Sequence, residues 1–123
     1  MNVRFYYSSR CKGKSDIELR VEKARIDAIT EDIQTVILAS HLDLCGKMPD
    51  EKYRDEAMEI AKIMIGTCDV FLLSDPERTL SEGMERERDW ACTLGLPVVW
   101  LSPNPREWWR EINQIGFEYV NDR

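Results

Sequence analysis

The chain has 123 residues, of which 43% are hydrophobic and 33% charged, and its formal net charge is −6. This length predicts a single domain, residues 1–123. A duplex-binding protein needs a basic face, whereas the basic residues here alternate with acids, so DNA and RNA are excluded as predicted partners. No apolar run approaches the roughly 20 residues that span a bilayer, so no membrane contact is predicted.

The cysteines, Cys11, Cys45, Cys68 and Cys92, are widely spaced and form no CxxC pair. This spacing argues against a zinc ribbon and against a thioredoxin-like motif. The first residues lack the basic and apolar regions of a signal peptide, so we expect a cytoplasmic protein with reduced thiols. A single histidine and scattered acids offer no metal-ligand spacing, and neither a metal nor a cofactor is predicted.

The first third of the chain alternates between strand and helix patterns. Residues 3–8 are rich in β-branched and aromatic side chains and predict a first strand. Ser15 and Glu18 form a capping box that begins a helix. The predicted apolar stripe of this helix is Ile17, Val21, Ala24 and Ala28. Residues 35–40 are a continuous apolar run, which predicts a second strand covered on both faces.

The same alternation continues through the middle of the chain. Asp50 is the predicted N-cap of a second helix that ends at Gly66. The apolar face of this helix is predicted to contain Tyr53, Ala57, Ile60, Ala61 and Met64. Residues 69–74 predict a third strand, and Thr79 with Glu82 forms a second capping box. The helix that follows carries a stripe of Met84, Glu87, Ala91 and Leu94 and is closed by Gly95.

Residues 97–101 predict a fourth strand, residues 106–112 a short helix and residues 117–120 a fifth strand. Strands that alternate with helices indicate parallel β-α-β units. The predicted fold is a doubly wound α/β sheet of four or five strands in three layers, flavodoxin-like (Rossmann-like), with strand order 2-1-3-4-5. Such sheets bind ligands beyond the carboxyl ends of their strands, between strands 1 and 3.

Polar residues gather where these strands are predicted to end, and the start of the third helix offers backbone N–H groups to an anion or a sugar hydroxyl. The candidate ligand-binding residues are Tyr7, Ser8, Ser9, Arg10, His41, Ser81, Gly83 and Met84. Simpler interpretations stay open. His41 is also explained as a loop histidine that accepts a backbone hydrogen bond, and Ser81 and Gly83 as ordinary helix-start residues.

Glu87 and Asp69 are the candidate catalytic residues. Glu87 lies three residues after Met84 and four before Ala91, so it shares their apolar helix face. A buried carboxylate is costly unless something pairs with it, which makes Glu87 a functional candidate. The alternative is that Glu87 lies at the margin of the stripe and reaches solvent or an arginine. Asp69 could merely cap a turn.

These residues together resemble the nucleoside 2-deoxyribosyltransferase superfamily, and in particular its small branch found in bacteria and phages. The matching positions are Cys68-Asp69-Val70, Ser81-Glu82-Gly83-Met84-x-x-Glu87, Ala91, Gly95 and Pro97-Val98. The resemblance covers most of residues 3–101. It implies that Glu87 is the nucleophile that attacks the anomeric carbon of a nucleoside, that Asp69 belongs to the site and that Gly83 lets the backbone approach the sugar.

The chain departs from that superfamily at Ser81, where established transferases carry a second aspartate six residues before the nucleophile. Two functions therefore stay open. One is an enzyme that cleaves or transfers at an N-glycosidic bond, and the other is a non-catalytic binder, a sensor or sponge, of a nucleotide-derived molecule. The basic residues Arg10, Lys12 and Arg20 suit the phosphate of such a ligand.

A third interpretation is an oligomerising domain with a vestigial pocket. The resemblance implies a homo-oligomer, a dimer or larger, in which the carboxyl-terminal segment of one copy, here residues 117–123, completes the site of its neighbour. The predicted small-molecule partner is a nucleoside or nucleotide.

Overall fold

The computed structural model describes residues 2–33, 35–44 and 54–121. The strands and helices in chain order are β1 (Val3–Ser9), α1 (Asp16–Asp32), β2 (Val36–Ser40), α2 (Arg54–Gly66), β3 (Val70–Ser74), α3 (Glu82–Thr93), β4 (Val98–Trp100) and α4 (Trp108–Asn121). Short 3-10 helices follow β2 (His41–Leu44) and precede α4 (Pro105–Glu107). Within these ranges, no helix is both long enough and apolar enough to cross a membrane.

The described strands form one parallel four-stranded sheet in the order β2-β1-β3-β4. Tyr7 of β1 stands opposite Ser40 of β2 on one side and Leu72 of β3 on the other. The predicted doubly wound sheet, with strand 1 at its centre, is therefore confirmed. No fifth strand occurs in the described part of the chain.

The central strand β1 is buried on both faces and sends alternate side chains into two cores. Phe5 and Tyr7 pack into the core that the sheet forms with α1 and α4. Tyr6 packs into the core formed with α2 and α3. The edge strand β2 is less covered than predicted, since Ile37 is 40% exposed. An edge strand has a neighbour on one side only, which leaves part of its surface open.

Helix α1 has the predicted capping box but not the predicted buried face. Ile17 is 73% exposed and Val21 52% exposed, and Ala24 and Ala28 are exposed as well. The residues that α1 buries are Leu19, Glu22, Ile26 and Thr30. The apolar stripe predicted the wrong buried face of α1, because the face that is buried carries two polar residues whose hydrogen bonds are satisfied. Glu22 accepts from Tyr7 and Thr30 donates to the carbonyl of Ile26.

Helix α2 buries Ala61 and half-buries Ala57, Ile60 and Met64, as predicted, and adds the buried Ile65. Gly66 is its last residue. The predicted N-cap Asp50 and the predicted contact of Tyr53 lie outside the described residues.

Helix α3 is capped by Ser81 and not by the predicted pair Thr79 and Glu82. The Ser81 hydroxyl accepts a hydrogen bond from the backbone N–H of Met84 at 3.2 Å. The Thr79 hydroxyl instead donates to Asp75, which removes it from the helix start. Gly95 follows the helix with φ of 76°, a conformation that favours glycine. Leu94, the last residue of the predicted stripe, is 56% exposed and caps the helix end, so its predicted place in the stripe is wrong.

The carboxyl-terminal segment is one helix, α4, which contains residues 108–112 of the predicted short helix but extends to Asn121. The predicted strand 117–120 is therefore wrong. The inward residues of α4 recur at helical spacing, with Trp108 and Ile112 buried and Ile115 and Tyr119 partly buried against the sheet. A Cβ added at Gly116 would lie 3.5 Å from Val36, an ordinary van der Waals distance, which shows how closely this helix packs on the sheet. The aromatic and β-branched residues near the end had suggested a strand, but helical packing on β1 decides their conformation.

The connection from β3 to α3 is organised by Asp75, which is 8% exposed. One oxygen, Oδ2, accepts from the backbone N–H groups of Glu77 and Thr79 and from the Thr79 hydroxyl at 3.0–3.1 Å. Arg10 donates to the same Thr79 hydroxyl at 3.0 Å and its Nε lies 3.7 Å from Asp75 Oδ1. Burial alone would raise the pKa of Asp75, but the hydrogen bonds of Thr79 and Glu77, with the charge of Arg10, lower it below its ordinary value.

The single-helix form of the carboxyl terminus predicts the effect of two alanine substitutions. Ile112→Ala should lower the free energy of unfolding by about 2–5 kcal/mol, because it leaves a cavity in the core. Asn113→Ala is the matched control: Asn113 is exposed on the same helix, and its loss should change the free energy by less than about 0.5 kcal/mol. Urea unfolding followed by circular dichroism measures both. Equal losses for the two variants would contradict this placement of α4.

The network around Asp75 predicts a pH-dependent contribution to stability. Asp75→Asn should lower the free energy of unfolding by about 1–3 kcal/mol at pH 7, because charged acceptors hold their donors more strongly. The folded-state pKa is lowered, so this contribution is complete above the ordinary carboxyl pKa of about 4 and is lost as pH falls through the folded value. Asp89→Asn, at an exposed acid of α3, is the control. Urea titrations at pH 7 and pH 3 test it, and a difference that stays constant between them would count against the assignment.

Candidate functional site

Helix α3 carries Glu87 into the protein interior. Its side chain is 4% exposed, beside Met84 at 1% and Ala91 at 0% on the same helix face. The three residues share that face because they are three and four positions apart. Glu87 therefore does not lie at the solvent-exposed margin of the stripe. Within the described ranges it forms no ion pair with an arginine or lysine, so the alternative interpretation from sequence is wrong.

Two hydroxyl groups of β1 hold the Glu87 carboxylate. Tyr6 Oη donates to Oε2, and Ser8 Oγ donates to Oε1 at 2.9 Å. Tyr6 and Ser8 are two residues apart on the strand, so their side chains point to the same face. A carboxylate has about four acceptor sites, so each oxygen keeps an acceptor site beyond its hydroxyl bond. The site is an oriented, buried carboxylate with acceptor capacity to spare.

Tyr6 is a fixed hydrogen-bond donor in this arrangement. Its ring is fully buried and stacks on Phe71 with the ring centroids 5.5 Å apart and the planes 6° from parallel. Burial raises the pKa of Tyr6 well above its ordinary value, and the neighbouring Glu87 carboxylate raises it further. The backbone of His41 is near the Tyr6 hydroxyl and lowers the pKa of Tyr6 in part. This contact brings the end of β2 into the cluster, so His41 joins the site through its main chain.

The predicted residues of strand 1 divide between the two faces of the sheet. Ser8 contacts Glu87, whereas Tyr7 faces the opposite layer and donates to Glu22 Oε2 at 2.7 Å. Ser9 lies on the same face as Tyr7, where its hydroxyl adjoins Glu22 and Tyr7. The structure therefore brings only Ser8, of these three, to Glu87.

The structure does not bring Asp69 to the site. Asp69 precedes β3 at the amino end of the sheet, whereas Ser8 lies near the carboxyl end of β1. Its Oδ2 accepts from the backbone N–H of Arg4 at 2.9 Å, and its Oδ1 accepts from the Tyr119 hydroxyl at 3.2 Å. Asp69 thus links β1, β3 and α4, and the length of β3 separates it from Glu87.

The predicted residues at the start of α3 have mainly structural roles. Ser81 is the N-cap, and Met84 is buried in the core formed with α2. A Cβ at Gly83 would meet no atom within 4 Å, and its φ is not positive, so neither packing nor backbone conformation requires glycine there. Arg10, through Thr79 and Asp75, lies against the loop that leads into this helix.

Three important residues, Tyr6, Glu22 and Asp75, were not predicted. A signal for Tyr6 exists, because a strand alternates and Ser8 and Tyr6 must share a face. Glu22 also has a signal, since it lies three residues after Leu19 and four before Ile26, both of which are buried. Asp75 has no comparable local signal, since its importance comes from hydrogen bonds that only the folded loop creates.

The described residues contain no group of three or more histidine, cysteine, aspartate or glutamate side chains placed to hold a metal ion. Within the same ranges, Cys11, Cys68 and Cys92 form no disulfide. The chemistry that the site offers comes from one buried carboxylate and the two hydroxyls that orient it. Such a group can act as a nucleophile or as a general base.

No family model matches the chain, and no curated protein matches its sequence. Two solved structures resemble it. A conserved protein from Enterococcus faecalis V583 is 19% identical with a TM-score of 0.57, over 81% of this chain and 63% of that one. The CMP N-glycosidase BcmB of Clostridium botulinum is 16% identical with a TM-score of 0.59, over 90% of this chain and 98% of that one. The chain thus spans less than two thirds of the Enterococcus protein, and at these identities the likeness shows the fold, a three-layer α/β domain.

Proposed function

We propose that this protein cleaves or transfers at the N-glycosidic bond of a nucleotide or nucleoside, with Glu87 as the nucleophile. The observation that carries the proposal is the buried Glu87 carboxylate, bound by Tyr6 and Ser8 near the carboxyl end of the central strand. A carboxylate buried without a cation is costly to the fold, and such groups are concentrated at functional sites. The likeness to a CMP N-glycosidase supports a pyrimidine nucleotide as the first substrate to test.

The proposed reaction has two displacement steps. A Glu87 oxygen attacks the anomeric carbon and forms a glycosyl ester, while the bond from that carbon to the base nitrogen breaks. The electron pair of the broken bond leaves with the base, which takes up a proton. Water, or an N–H nitrogen of a second base, then attacks the same carbon, gives up a proton to the solvent and releases the Glu87 carboxylate. Water gives hydrolysis, and a second base gives transfer.

The hydroxyls of Tyr6 and Ser8 position the nucleophile in this scheme. The raised pKa of Tyr6 keeps its phenol neutral at neutral pH, so it goes on donating to Glu87. A carboxylate that both donors orient does not have to be immobilised during the reaction, which lowers the entropic part of the barrier.

The proposal predicts that Glu87→Gln abolishes base release. The amide keeps the shape of the side chain but is not a nucleophile, so the rate should fall at least about a thousandfold. Glu85→Gln is the matched control, because Glu85 is an exposed glutamate of the same helix, and it should keep the rate within about twofold. The assay follows free base by chromatography after incubation with CMP, dCMP, cytidine and deoxycytidine, and then with the purine counterparts.

Circular dichroism establishes that both variants fold. If the unmodified protein releases no base from this panel, or if Glu87→Gln releases it as fast as the unmodified protein, the catalytic proposal is wrong.

A second candidate function is a non-catalytic binder of a nucleotide-derived molecule. The observation that favours it is the position of Arg10, whose side chain is 36% exposed beside the loop that leads into α3. Guanidinium groups suit phosphate recognition. Exposed Lys12 and Arg20 add positive charge on the segment that leads into and begins α1. A panel compound that stays with the protein through gel filtration and is recovered intact by mass spectrometry would favour this function over catalysis.

We also propose a homo-oligomer of two or more copies. Phe117 is 64% exposed on α4 and offers an apolar contact to a neighbouring copy. The sequence predicts that residues 117–123 reach a neighbouring copy. Part of this segment packs on its own sheet instead, since α4 continues to Asn121 and the Tyr119 hydroxyl donates a hydrogen bond to Asp69. Light scattering should give at least twice the mass of one chain, and Phe117→Glu should lower that mass. A monomer at high concentration would contradict this proposal.

A further inference from the structure

A cavity of about 350 Å³ opens on the opposite face of the sheet from Glu87. Ser74, the last residue of β3, and Glu22 of α1 line its interior, which places it at the carboxyl edge of the strands in the layer of α1 and α4. Small-molecule sites occupy roughly 300–1,000 Å³ and prefer this edge of parallel sheets. None of Tyr6, Ser8 and Glu87 lines it.

The walls of the cavity are mainly apolar and rigid. Pro76, Pro103 and Trp108 form one side, and the Trp108 Nε1–H donates to the carbonyl of Ser102 at 2.8 Å, which fixes the indole. Ile17 and Val21 form the other side. Ile17 and Val21 are two of the four α1 residues that the sequence had suggested for the core, and the structure places both on the wall of this cavity.

The interior of the cavity carries a bound carboxylate. Glu22 is 8% exposed and accepts from Tyr7 Oη at 2.7 Å and from Lys14 Nζ at 2.8 Å. Burial alone would raise the pKa of Glu22, but the hydrogen bonds from Lys14 and Tyr7, with the charge of Lys14, lower it below its ordinary value. Glu22 is therefore ionised at neutral pH, and Lys14 balances its charge.

The two cations of the lining have more unused donors than its two carboxylates have unused acceptors. Lys14 has three N–H donors and gives one to Glu22. Arg25 lines the cavity and forms no ion pair with any residue in the described ranges. Glu18 uses one acceptor site for the backbone N–H of Ser15 in the capping box, and Glu22 uses two, for Tyr7 and Lys14. The remaining hydrogen-bonding capacity of the cavity is therefore that of a site for an anion.

We propose that this cavity is a second ligand site, separate from Glu87, that binds a small organic anion with a flat apolar body. The anionic group lies between Lys14 and Arg25, and the flat body packs between the prolines with Trp108 and the α1 residues Ile17 and Val21. This inference does not depend on the proposed function, because it uses no residue that holds Glu87.

The test compares 2-naphthoate with 2-naphthalenemethanol, a neutral compound of nearly the same shape, on the full chain. Amide and indole N–H signals of Lys14, Val21, Ser74 and Trp108 are followed by nuclear magnetic resonance during titration. We expect 2-naphthoate to bind at least about tenfold more tightly, a difference of about 1.4 kcal/mol. Shifts confined to signals of Tyr6, Ser8 and Glu87 would overturn the proposal.

A pair of tryptophan substitutions on α1 locates the binding. Val21→Trp fills the mouth of the cavity and should weaken 2-naphthoate at least about tenfold. Ala28→Trp is the matched control, because Ala28 is also exposed on α1 and lies outside the lining; it should change the affinity by less than about twofold. Both sites are exposed, so both variants should fold, and thermal unfolding checks this. Absence of saturable binding, equal affinity for the alcohol, or unchanged affinity in Val21→Trp would each refute the site.

Discussion

The central strand β1 has to satisfy two buried glutamates, one from each helical layer, and the rest of the structure is arranged around that constraint. Adjacent tyrosines meet it, because consecutive side chains of a strand point to opposite faces. Tyr6 donates to Glu87 of α3 and Tyr7 donates to Glu22 of α1. Each hydrogen bond joins a helix to the middle of the sheet, and without its donor each carboxylate would be buried at a large cost.

The two carboxylates differ in how their charge is compensated. Glu22 has the ammonium group of Lys14 at 2.8 Å, whereas Glu87 has two hydroxyls and, within the described ranges, no cation. Hydroxyl donors orient a carboxylate but do not neutralise its charge. The free-energy cost of burying Glu87 is therefore offset less than that of Glu22, which has a cation beside it. This asymmetry is why the proposed chemistry is assigned to Glu87, while Glu22 forms part of the interior of a cavity.

The loops at the carboxyl edge connect the two sides. Arg10 follows β1 and is bound to Thr79 and Asp75, which follow β3. The start of α3, and with it the position of Glu87, therefore depends on a residue that also begins the segment leading to α1. A substitution in one loop is expected to change the structure at both faces of the sheet, because the two loops share one hydrogen-bonded group.

The sequence by itself predicted the alternating α/β fold and the central place of strand 1, and it placed Glu87 on the same helix face as Met84 and Ala91. These depend on local periodicity, since residues three and four apart share a helix face whatever the helix packs against. Only the tertiary structure decided the partners, because the Tyr6 and Glu87 side chains are 81 residues apart in the chain. It also decided which face of α1 is buried and that α4 is one helix. Glu22 and Thr30 can be buried only where the fold supplies a hydrogen-bond partner. The hydropathy of the sequence does not indicate where those partners lie.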